Sequence, residues 1–121
     1  VASLGKENKG GLIMRPVFAD TETFRCDDLY LHAVSAPSGT KIFNACHEIA
    51  HLLIDKNISY GDSALNPARI FSQAGPTEQL KVRIDDKLNR VMNNQGYAGD
   101  NDIDDLIGYL ILYKIANAQS D

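Results

Sequence analysis

The residues most able to do chemistry lie in two groups. The first is Ala45-Cys46-His47-Glu48-Ile49-Ala50-His51, which contains H-E-x-x-H. On a helix, imidazoles at i and i+4 converge on one metal, and the Glu between them can activate a bound water. The stretch from Lys41 to Lys56 carries apolar residues at three- and four-residue spacing, so a helix is expected there. A zinc site would use His47 and His51, with Glu78 as the third ligand. At ~100° per residue, the apolar stripe of Ile42, Phe43, Cys46, Ile49, Ala50 and Leu53 leaves both histidines toward the side or polar face. Two solvated surface histidines are the plain alternative.

The second group is acidic. Glu48 lies on the same helix as the histidines, Asp85 and Asp86 in a later helical stretch, and Asp102, Asp104 and Asp105 at the start of another. Asp102 and Asp105 are three apart and share a helix face, with Tyr109 on the same side. Carboxylates on facing helices of a bundle can hold a divalent cation. Mg²⁺ favours oxygen ligands and commonly joins protein carboxylates to phosphates, where it can also activate water. The competing reading makes these residues helix-start acids and solubilising charges, with Asp86 and Arg90 a surface i,i+4 pair.

These groups need elements to position them. A chain of 121 residues is enough for one core. Residues 1–40 read as an arm, with short extended pieces in "RPVFA", "TFRC" and "LYLHAV". Residues 41–121 read as an α-helical domain whose bundle of about four helices spans 41–117. The first helix covers about 41–56, after a cap at Ser38 or Thr40, and Gly61 ends the turn that follows. A short second helix begins at Asn66-Pro67 and covers "PARIFS". The third runs from Gly75-Pro76 to about Asn93, with Leu80, Ile84, Leu88 and Val91 inward. The fourth opens on Asn101 as cap and is apolar on most sides, so it is expected to be the most buried. The fold class is therefore mainly α, preceded by an irregular or short-β arm.

Composition narrows the partners. The net charge of −4 gives no electrostatic footprint for nucleic acid. No apolar run reaches the ~20 residues of a membrane span, and the two cysteines, Cys26 and Cys46, suit neither a disulfide scaffold nor a thiolate zinc site. A soluble, cytoplasmic protein is expected.

The segments "LLIDKNISYGDSALNPARIFSQAGPTEQLKVRIDDKLNRV" and "DIDDLIGYLILYKI" resemble a family borne by phages and bacteria, nucleotide modification associated domain 1. The resemblance spans about residues 42–116. It rests on the K-N-x-x-Y-G turn (Lys56, Asn57, Tyr60, Gly61), the "RIDDK" helix and the "DIDDLIGYL" helix. More distantly the chain is similar to MazG-like all-α nucleoside triphosphate pyrophosphohydrolases, which hold Mg²⁺ with E-x-x-E on one helix and E-x-x-D on a later one. Those motifs map onto Glu48-x-x-His51, with His in place of the second Glu, and Asp102-x-x-Asp105, with Asp in place of the first.

The resemblance implies a Mg²⁺-dependent hydrolase that releases pyrophosphate from a nucleoside triphosphate, or a nucleotide-binding protein, assembled as a dimer or tetramer. Glu48, Asp86, Asp102 and Asp105 would hold the metal, with Glu48 and Asp105 central to catalysis. Lys56, Arg69, Lys87 and Arg90 would contact phosphates, Tyr60 would stack on a base, and Asn57 and Asp62 would read its edge. A Zn²⁺ peptidase-like domain built on HEIAH is the first alternative. A non-catalytic interaction module with the same helical fold is the second.

Overall fold

The computed structural model describes residues 26–94 and 101–119. Four helices follow one another: α1 Cys26–Val34, α2 Gly39–Ser59, α3 Pro76–Met92 and α4 Asp102–Gln119. No strand occurs among the described residues, so the protein is mainly α-helical. The chain forms two compact units, residues 1–43 and 44–121, and the boundary falls within α2.

In the first unit the sequence expectation is corrected. "LYLHAV" is not extended but forms most of α1, while "RPVFA" and nearly all of "TFRC" lie outside the described residues. The helix has Asp27 and Asp28 in its first turn and His32 in its last, the arrangement that complements the helix dipole. Leu29 and Leu31 are good helix formers, and the two acids at the start add to that preference, so the β-favouring Tyr30 does not decide the segment. Tyr30 meets the Phe43 ring edge-on at 5.4 Å between centroids. A tight turn then leads into α2. Ser38 caps α2 through its backbone, accepting the Ile42 N–H at 3.0 Å. Gly39 is required at this turn, because a Cβ there would lie 1.7 Å from the Ala33 carbonyl oxygen.

The second unit is organised on the α3–α4 hairpin and the C-terminal part of α2. Leu80, Leu112 and Ala116 form its buried core, with Leu53, Ala64, Leu65, Tyr109 and Tyr113 packed against them. Pro76 at the first turn of α3 fixes its start, since that N–H would have no helical partner in any case. The buried seam of α3 runs from Leu80 to Lys87, seven residues apart and about 20° apart on the helix wheel. Leu88 and Val91, expected inward, are 42% and 38% exposed. Lys87 takes the inward position because α4 supplies carboxylates for its ammonium group.

α4 is less buried than expected. Gly108, Leu112 and Ala116 face the core, whereas Ile103 and Leu110 are about half exposed. Similarly, α2 turns Ile49, Leu52, Leu53 and Lys56 inward, and Cys46 and Ala50 are exposed. The expected helix over "PARIFS" is absent. Arg69 has φ +58°, which no right-handed helix accommodates, and Ile70 and Phe71 are fully or nearly fully exposed. Without an apolar face to bury, so short a helix has nothing to offset its nucleation cost.

Candidate functional site

Two helix ends build the site. α2 terminates in a Schellman cap: the Asp62 N–H donates to the Asn57 carbonyl at 3.0 Å, and the Gly61 N–H to that of Ile58 at 3.3 Å. Gly61 occupies the left-handed position of this cap, φ +63°, which glycine adopts without steric cost. The K-N-x-x-Y-G pattern is thus the sequence of a helix stop. At the other end, the Asn101 side-chain oxygen accepts the Asp104 N–H at 3.0 Å and caps α4. That cap sets Asp102 and Asp105 on one face of the first turn.

Between these ends lies an ion network. The Lys87 ammonium donates to Asp102 Oδ1 at 3.1 Å and also lies 3.1 Å from Asp105 Oδ2. Lys56, from α2, donates to Asp105 Oδ1 at 2.7 Å, and Arg90 Nη1 stands 3.9 Å from Asp102 Oδ1. Lys87 is only 8% exposed. Burial acts to lower its pKa, but hydrogen bonds to Asp105 and Asp102 outweigh this and raise it above the ordinary lysine value. At Asp105 burial pushes the carboxyl upward, and the hydrogen bonds from Lys56 and Lys87 prevail and hold it below the ordinary range. The Lys56 ammonium is raised, chiefly by its hydrogen bond to Asp105.

Beside the network a cleft of about 410 Å³ opens between α2 and α4. Its apolar part is Ile49, Leu52, Leu53, Gly108 and Leu112, and its polar part includes Lys56, Asn57, Tyr60, Arg83, Asp104 and Asp105. Gly108 keeps the cleft open where α4 passes α2, since a Cβ there would come within 3.2 Å of the Leu53 Cδ1. A volume of this size, with polar and charged groups bordering an apolar floor, has the character of a small-molecule pocket.

The residues expected at a site divide accordingly. Lys56, Asn57, Tyr60 and Asp105 line the cleft, and Lys87, Arg90 and Asp102 form the network at its edge. Asp62 binds the Asn66 side-chain amide in the loop after α2, and Arg69 is exposed within that loop; neither lines the cleft. Glu48 is exposed and eight residues before Lys56, about 12 Å along the helix axis. Asp86 is exposed on α3.

The four carboxylates expected to hold Mg²⁺ therefore do not converge. Among the described residues no group of three or more His, Cys, Asp and Glu side chains is placed to bind a metal. Both oxygens of Asp105 and Oδ1 of Asp102 are engaged by ammonium groups, so the residues as folded do not fit that ion. His47 and His51 are exposed, with ring centroids 4.8 Å apart, while Glu78 pairs with Lys81 at 3.0 Å. The zinc triad of His47, His51 and Glu78 is not brought together.

The cleft also includes Ser63, Arg83 and Asp104, which the sequence reading does not name as ligands. The signal for Arg83 was present: it precedes Lys87 by four residues and follows Leu80 by three, on the face that α3 turns to the site. No family model matches the chain, and no curated protein or solved structure matches it. No helix among the described residues is long and apolar enough to cross a membrane.

Proposed function

We propose that this protein binds a nucleotide in the cleft between α2 and α4. The observation that carries the reading is the composition of that cleft, where Asn57, Tyr60 and Arg83 border an apolar floor of about the right size. A heteroaromatic base needs a flat apolar surface and an aromatic face, with an amide for its polar edge. A phosphate needs a cation, for which a guanidinium is suited. The resemblance of residues 42–116 to a nucleotide-associated family points to the same ligand class. Hydrolysis through a carboxylate-held metal is not part of this reading, because Asp102 and Asp105 are matched by Lys87 and Lys56.

Tyr60 is 68% exposed and sits after the last turn of α2, so its removal leaves the core intact. Isothermal titration with a panel of nucleotides is expected to show binding to the native chain. Base stacking on an aromatic side chain contributes about 1–3 kcal/mol, so Tyr60→Ala is expected to weaken binding by roughly five- to 150-fold, with unchanged circular dichroism. Failure of every nucleotide to bind, or equal affinity in Tyr60→Ala, would defeat the proposal.

A further inference from the structure

We infer that the cleft selects a nucleoside monophosphate over the triphosphate. This rests on the nucleotide reading and deepens it. The charged lining consists of two cations, Lys56 and Arg83, and two carboxylates, Asp104 and Asp105. Lys56 is held by Asp105 at 2.7 Å, which leaves its ammonium already matched. Arg83 is exposed and has no hydrogen bond or ion pair to any described residue. Among the described residues of the lining, one cation is therefore available for phosphate. Its planar fork matches the oxygens of one phosphoryl group.

Among the described residues, further phosphates find no counterpart. The Lys87 ammonium, which also reaches Asp105, is buried and shared between Asp102 and Asp105. Arg90 is drawn toward Asp102 and does not line the cleft. A triphosphate would bring extra negative charge toward Asp104 and Asp105, whose carboxylates face the same space. Repulsion between one such charge and a carboxylate at about 6 Å is worth a factor of roughly three at the dielectric of water and roughly 100 at an effective value of 20. A preference on the order of tenfold for the monophosphate follows, strongest at low ionic strength. Asp104 is the specificity-determining residue, because Asp105 is already compensated and Asp104 makes no ion pair with a described residue.

The test is titration of the native chain, at low salt with a chelator present, with the four nucleosides, their monophosphates and their triphosphates. The expected result is a monophosphate that binds about tenfold tighter than its triphosphate and tighter than its nucleoside. In Asp104→Asn the gap to the triphosphate narrows. In Arg83→Ala the advantage over the nucleoside disappears. A triphosphate that binds as tightly as the monophosphate overturns the inference and leaves nucleotide binding standing. Equal binding of nucleoside and monophosphate also overturns it, since the phosphate is then not recognised. If none of the twelve compounds binds, the nucleotide reading itself fails, and this inference with it.

Discussion

Replacing Lys87 by Met removes the ammonium group and retains a flexible apolar stem of similar length. In the native chain that ammonium lies 3.1 Å from both Asp102 Oδ1 and Asp105 Oδ2, at a site only 8% exposed. Breaking a buried ion pair from one side typically costs about 3–5 kcal/mol, because a charge is left without its partner. Here the cost is reduced. Lys56 still holds Asp105, Arg90 still approaches Asp102, and each carboxylate side chain keeps 14% of its exposure. A loss of about 2–3 kcal/mol is expected from this partial compensation. For a small domain each kcal/mol corresponds to about 4–8 °C in Tm, so Lys87→Met is expected to melt roughly 10–20 °C lower by circular dichroism. Adding Asp102→Asn and Asp105→Asn removes the orphaned charges and is expected to restore part of the loss. A single variant melting within about 3 °C of the native chain would refute the argument, since the network would then be screened by solvent like a surface pair.

Two further perturbations probe the same region. The folded Asp105 carboxyl is held below its ordinary value, so its contribution is complete above the unfolded pKa of about 3.9 and is lost as pH falls through the lower folded value. Lys56 and Lys87 are raised, so theirs is complete below about 10.4 and is lost as pH rises through the folded values. Tm should therefore be flat across neutral pH and fall at both extremes, and Asp105→Asn should flatten the acid limb; an unchanged acid limb counts against the ion network. Gly61→Ala places a Cβ at φ +63° in open space, so the cost is conformational, about 1 kcal/mol. A urea midpoint identical to that of the native chain would mean that α2 does not end in the described cap.

What could be read in the sequence was what local chemistry decides. Pro76 and Asn101 announce the starts of α3 and α4 because each acts on the backbone within one turn. The apolar pattern ends α2 a few residues early, since it fades before Gly61 closes the helix at Ser59. What could not be read depended on distant partners. "LYLHAV" is an exception, since Leu29 and Leu31 are good helix formers and the helix could have been read locally. "PARIFS" begins with a helix-compatible proline, yet nothing among the described residues offers Ile70 and Phe71 a surface. On α3, periodicity favoured Leu88 as an inward residue, and no rule internal to that helix could have replaced it with a lysine.

The same asymmetry explains the carboxylates. Asp102-x-x-Asp105 is an equally good pattern for binding a metal ion or an ammonium group, because both are cations and both need two oxygens on one helix face. The choice is made by what faces that turn. Lys87 is the buried residue of α3 at that level, and Lys56 approaches from the last turns of α2. HEIAH meets the opposite condition: its histidines share a face, but that face is exposed and no third ligand among the described residues approaches it. A spacing motif fixes the geometry of one helix only. Whether the motif becomes a binding site is decided by the side chain opposite: ammonium groups face Asp102 and Asp105, and no third ligand among the described residues faces the histidines.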